Sequence, residues 1–158
     1  MLRSINNEKI SGVVLWWKIF GDSGIKVPDN RFVIERFIYH ADLSFSGNKW
    51  EKTICKLKNT SHTSNVHNFS YFQGFYGIDS KFVKYNRDSG PQWENYWLNH
   101  YKNKTREEFI LRMKKGNAIN NLPRDSKSFE HHNRNDIYDD SMRKYIPIVK
   151  EIIRDIRN

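Results

Sequence analysis

An apolar run spans Gly12 to Phe20 (Gly-Val-Val-Leu-Trp-Trp-Lys-Ile-Phe), and its length and flanking glycines predict a buried strand. It breaks at Gly21-Asp-Ser-Gly24, a loop whose glycines permit positive φ or close approach of the backbone to a ligand. Pro28-Asp-Asn30 reads as a turn. The segment from Arg31 to His40 is rich in β-branched and aromatic residues and fits either a strand or a short helix. Thr53 to Lys58 reads as a short strand, Asn59 to Asn68 as a polar loop, and Tyr71 to Gly77 as an aromatic stretch without clear period.

Two helices are better signalled. Thr105-Arg-Glu-Glu108 fits a capping box, in which the Thr105 hydroxyl accepts the N3 amide and Glu108 reaches back to the cap amide. Phe109, Ile110 and Met113 supply an apolar stripe, Lys114 and Lys115 suit the C-terminal end of the dipole, and Gly116 marks the stop. Met142, Tyr145, Val149, Ile152 and Ile156 recur every three or four residues and predict an amphipathic C-terminal helix. Pro147 should kink that helix or mark its first turn. Asn117 to Asp140 is polar and reads as a linker. The expected division is therefore a main α/β domain over 1–118, a polar linker over 119–140 and a helix over 141–158.

Composition narrows the classes. No stretch reaches the ~18 consecutive apolar residues of a membrane-spanning helix. Met1 to Asn7 is polar, so no secretion signal is expected. The single cysteine, Cys55, excludes an internal disulfide framework and a cysteine-based zinc site. These readings point to a soluble protein of a reducing, cytoplasmic compartment, with peripheral attachment to a membrane as the variant. Aromatics at 15% argue against a disordered chain, because rings supply large apolar area. A formal charge of +9 favours polyanionic partners. The excess concentrates at Lys102, Lys104, Arg106, Arg112, Lys114 and Lys115, which reads as a solvated helix face or an anion-binding one.

The chemistry-bearing residues form no complete motif. None of the six histidines sits in a metal-binding spacing; His131-His132 reads as solvated loop, while His67 and His100 read as buried structural rings or as ligands. The Gly21 to Gly24 loop lacks a P-loop lysine, and no nucleophile elbow is present. Glu107-Glu108 is explained by helix capping, and Asp139-Asp140 by a helix N-terminus.

The order of several blocks is nevertheless familiar. Trp17-Lys-Ile-Phe-Gly-Asp-Ser-Gly24 is followed by Val33-Ile-Glu-Arg-Phe37 and Ala41, then Lys52-Thr-Ile54 and Val66-His-Asn-Phe69. Asn99-His-Tyr101, Lys104-Thr105, Glu107-Glu-Phe109 and Lys114-Lys-Gly116 close the series. Over residues 13–118 this resembles the C-terminal half of glycosyltransferase family 92 and related family 2-like enzymes. The resemblance implies a partial GT-A fold, an α/β mixed sheet with flanking helices, and transfer of a sugar from a nucleotide donor to a glycan or other hydroxyl acceptor. It implies a divalent metal (Mn²⁺ or Mg²⁺), with His100 completing the metal shell or contacting diphosphate and Lys104 facing the diphosphate. It implies an acceptor side at Gly21, Ser23 and Gly24 with Trp17 as a stacking ring, and Glu35 or Asp22 as the carboxylate that deprotonates the acceptor.

Departures accompany the matches. No Asp-x-Asp occurs in the chain, and Asp22 stands where the family more often has serine. The expectation is a C-terminal part of such an enzyme that partners a missing N-terminal half and is inactive alone. Two other classes compete: a basic nucleic-acid-binding module, which lacks any recognisable motif here, and a non-catalytic interaction domain.

Overall fold

A computed structural model describes residues 7–63, 65–116 and 127–157; of Arg157 it describes the backbone alone. Its chain forms two units, 1–18 with 43–99, and 19–42 with 100–158.

The first unit is built on β1 (Ile10–Ile19), the strand predicted from the apolar run. Its burial is nearly continuous because both faces are covered. β3 (Glu51–Cys55) pairs with it antiparallel, placing Val13 opposite Ile54 and Trp16 opposite Glu51. β6 (Tyr76–Ile78) pairs with it in parallel, and β7 (Leu98–His100) also hydrogen-bonds to it. The sheet is therefore mixed. Val13, Ile78 and Tyr96 form the buried centre, with Ile10, Leu15 and Tyr76 packed against them.

Trp93 and Trp97 cup Lys18, whose Nζ lies 5.0 and 3.9 Å from the two ring centroids. Lys18 is only 6% exposed, and the ring quadrupoles offset part of the cost of burying its charge. Two short strands, β4 (Thr60–His62) and β5 (Ser70–Tyr71), form a separate hairpin-like pair. Part of the predicted polar loop after Asn59 is thus a strand, since Thr60 pairs with Tyr71 and His62 with Ser70.

The second unit begins where β1 ends. Ala41 donates to the Ile19 carbonyl and Gly21 to the Tyr39 carbonyl, so the end of β1 runs antiparallel to β2 (Tyr39–His40). The ambiguous Arg31 to His40 segment resolves into both options: α1 (Val33–Arg36), then β2. α2 (Arg106–Lys114) starts at Thr105 with the predicted reciprocal cap, and Gly116 follows it at φ +69°. α3 (Lys127–His132) and β8 (Ile137–Tyr138) occupy much of the expected linker. β8 pairs antiparallel with β2, and Phe129 on α3 meets Phe109 on α2 with ring centroids 5.2 Å apart. Burial of Phe129 and two β2 partners gives this polar segment its structure, a signal too sparse to show as periodicity. The rest of the expected linker lies outside the described residues.

α4 (Ile146–Arg157) is the predicted amphipathic helix. Pro147 falls in its first turn, where its fixed φ and missing amide cost little, and Met142 and Tyr145 belong to a 3₁₀ turn before it. No described helix is long and apolar enough to cross a membrane. The core of this unit is Ile19, Phe20, Phe37, Ala41, Phe109 and Phe129.

Candidate functional site

The Gly21 to Gly24 loop is held by a polar clamp. Asp22, 7% exposed, accepts hydrogen bonds from the Gly24 amide (2.9 Å), Asn133 Nδ2 (3.0 Å) and Asn135 Nδ2 (3.1 Å). The amides of Asp22 and Ser23 donate in return to Asn133 Oδ1 and Asn135 Oδ1. Ser23 Oγ accepts from the amides of Ile38 and Tyr39, and Ser23 itself takes φ +52°. Gly21 is required by space: a Cβ there would lie 2.4 Å from the Arg134 carbonyl oxygen. Gly24 is required by its φ of +74°.

This geometry bears on the expected roles. Asp22 spends its carboxylate on three donors that fix the loop, the task of a positioning group rather than of a base facing substrate. Ser23 Oγ is likewise engaged, holding the loop to the segment that leads from α1 into β2. Glu35 sits in α1 and its Oε2 accepts the Phe32 amide at 2.7 Å, closing the first turn of that helix. Trp17 belongs to the first unit, where it packs on His67 (5.5 Å) and Trp50 (6.4 Å), so its main contact is aromatic packing. His67 Nδ1 lies 2.8 Å from the Glu51 carbonyl oxygen, a contact that fixes the ring.

Four of the six cluster residues meet at one pocket. Lys102, Lys104, Arg112 and Lys115 line a pocket of about 420 Å³ together with Tyr101, Asn103, Glu108 and Leu111. Two elements position them. The turn before α2 carries Lys102 and Lys104, the last turn of α2 carries Arg112, and Lys115 is its C-cap. Lys104 takes φ +57°, left-handed for a residue with a Cβ, immediately before the fully buried cap Thr105. Such strain, of order 1 kcal/mol, is held by the cap beside it and by Asn103, whose Nδ2 donates to the Phe129 carbonyl at 2.7 Å. Arg112 donates to the Lys102 carbonyl, which ties the two halves of the pocket wall together.

The one carboxylate in the wall is already neutralised. Glu108 accepts a bidentate pair from Arg36 at 2.9 and 3.0 Å, and its Oε2 also accepts the Thr105 amide and hydroxyl. Burial pushes its pKa up, but the Arg36 and Thr105 hydrogen bonds outweigh this and hold it at about 2. The pocket's remaining charge is therefore positive. His132 borders this cluster through Lys102, whose Nζ lies 2.9 Å from Nε2, while Nδ1 lies 2.9 Å from the Ser128 carbonyl. A neutral ring protonated on Nδ1 satisfies both contacts. Burial, with the nearby Lys102, His131 and Arg112 charges, lowers its pKa despite the Ser128 bond. The His131-His132 pair is thus part of α3 rather than solvated loop.

His100 does not line this pocket; its carbonyl accepts the amides of Phe20 and Lys102, fixing the turn that leads to Lys104. Among the described residues no three His, Cys, Asp or Glu side chains are placed to hold a metal ion. Of the residues singled out from the sequence, Lys104 and part of the charge cluster line this pocket. Sequence reasoning missed Asn133 and Asn135, which no periodicity marks, and the Arg36–Glu108 pair, whose partners lie 72 residues apart. No family model, curated protein or solved structure matches this chain.

Proposed function

We propose that the chain is the acceptor-side and diphosphate-contacting part of a GT-A-type glycosyltransferase, and that the basic pocket beside α2 receives the diphosphate of a nucleotide-sugar donor. The observation that carries this reading is the convergence of Lys102, Lys104, Arg112 and Lys115 on one pocket whose only carboxylate is spent on Arg36. Oxyanions with two phosphates match such a site better than a single carboxylate, because several cations share the charge. During transfer, negative charge develops on the departing diphosphate, and prearranged cations stabilise it. Block order over residues 13–118 supports the same family. In this reading the Gly21 to Gly24 loop shapes the acceptor side, with Asp22 and Ser23 as positioning residues, and Glu35 is the remaining expected base. The chain contains no Asp-x-Asp, so sugar transfer by these 158 residues alone is expected at background.

The test is equilibrium binding of pyrophosphate and UDP by calorimetry at fixed salt. Lys104→Gly removes the ammonium while relieving the left-handed strain, so the fold should survive. Lys104→Gly and Lys115→Ala are each expected to weaken UDP binding roughly tenfold, the scale of one charge-assisted hydrogen bond. Unchanged affinity in both would contradict the assignment. Tighter binding to single-stranded DNA than to UDP, with a steep log-linear salt dependence, would favour the nucleic-acid module instead.

A further inference from the structure

The first unit carries a second cavity that the diphosphate site does not use. Ser46, Lys49, Trp50, Arg87, Asp88 and Gly90 line a pocket of about 500 Å³. Trp50 is 44% exposed although its ring has two aromatic neighbours, His67 at 4.9 Å and Trp17 at 6.4 Å. The Arg87 guanidinium sits 5.5 Å from its centroid. Arg87 and Asp88 are presented by a 3₁₀ turn, fixed at its start by Asn86 Oδ1 accepting the Asp88 amide and at its end by Gly90 at φ +71°.

A buried polar network lies next to this wall. Glu51, the residue after Trp50, is 0% exposed, and its Oε1 accepts Asn68 Nδ2 (2.9 Å) and the Tyr85 hydroxyl (3.3 Å). Glu51 Oε2 is buried with no hydrogen-bond partner among the described residues. Both Arg87 and Asp88 act electrostatically on the Tyr85 phenol, so the pocket's charges and this network are within reach of one another.

A fixed indole, a planar guanidinium, an ammonium, a carboxylate and a hydroxyl around one dish is a set suited to a pyranose. Apolar sugar faces lie against indole, and vicinal hydroxyls pair with Arg and Asp. Two cations against one carboxylate select an anionic sugar. We propose that this pocket is a binding subsite for an acidic saccharide, with the sugar carboxylate held by Arg87 and Lys49 and the ring hydroxyls by Asp88 and Ser46. The subsite is proposed beside the transferase reading, not as its acceptor side, and its binding is measured independently of UDP.

The experiment follows the Trp50 indole NH in ¹⁵N-labelled protein during titration with cellobiouronate, with cellobiose and with inorganic phosphate. Cellobiouronate is expected to shift that resonance saturably and to bind roughly tenfold more tightly than cellobiose, whose missing carboxylate removes one charge-assisted contact. Arg87→Gln, at an exposed position, should abolish this difference, and Trp50→Phe should weaken both sugars alike. Equal affinity for the two disaccharides, an undiminished preference in Arg87→Gln, or phosphate competing as well as the acidic sugar would each overturn the proposal. UDP binding that persists when sugar binding fails would sink this subsite alone; loss of UDP binding with sugar binding intact would sink the transferase reading and leave a saccharide-binding module.

Discussion

Gly21→Ala is expected to be among the most damaging small substitutions in the chain, lowering stability by about 2–4 kcal/mol. The added methyl would meet the Arg134 carbonyl oxygen and Asn135 Oδ1, both at 2.4 Å, and Asn135 Cγ at 2.7 Å. The first is backbone and cannot swing aside. The second is the acceptor for the Ser23 amide, and Asn135 Nδ2 is one of three donors to Asp22. Relief of the clash must therefore move the segment that holds the loop, stranding partly buried polar groups at about 1–3 kcal/mol each. Gly24→Ala supplies the control: nothing lies within 4 Å of its Cβ position, so only the left-handed φ of +74° opposes it, about 1 kcal/mol. Denaturant unfolding of both variants checks the argument. If Gly21→Ala loses no more than Gly24→Ala, the clamp does not hold the loop.

The second large effect concerns Arg36 and Glu108. The Arg36 side chain is 5% exposed and the Glu108 side chain 20%, so removing either partner strands a largely desolvated charge. Arg36→Met is expected to cost about 3 kcal/mol, within the range for breaking a buried pair. The pH dependence gives an independent reading. Glu108 titrates at about 2 in the folded chain against 4.5 for the free group, so the unfolded chain binds the proton more readily. Its contribution is present above pH 4.5 and is lost as pH falls from there towards 2. The linked stability is of order 3 kcal/mol, reduced somewhat by the residual exposure of the carboxylate. Stability curves at pH 7, 4 and 3 should converge for wild type and Arg36→Met as pH falls. Parallel curves would show that the pair does not set the Glu108 pKa. His132 acts in the same direction at higher pH: its lowered pKa means stability falls as pH drops through 6.5.

Features governed by local chemistry were legible in the sequence. The apolar run announced β1, the Thr105 to Glu108 spacing announced the cap of α2, and the three-to-four residue recurrence with Pro147 announced α4. The mixed sheet followed the α/β expectation. What depended on distant partners was not legible. β4, β5 and β8 are two or three residues long and owe their form to pairing, so no alternation of side chains could mark them. Polar residues such as Asn133 and Asn135 carry no hydrophobic signal, yet they fix the loop at Asp22 from more than a hundred residues away.

At the site the same division holds. Charge density singled out the segment from Lys102 to Lys115, but whether those cations faced solvent or each other was a matter of packing. The left-handed Lys104 and the long-range Arg36–Glu108 pair turn a charged helix face into a positive pocket. Asp22 shows the converse. The resemblance suggested chemistry for it, and its contacts make a loop clamp.

The central claim is most directly tested by mapping UDP on the ¹⁵N-labelled chain. Amide shifts are expected to concentrate at residues 101–104 and 111–116, with saturation, and to vanish in the Lys104→Gly, Lys115→Ala double variant while its spectrum stays folded. Shifts spread evenly over the basic surface, or unchanged by the double substitution, would contradict a diphosphate site beside α2.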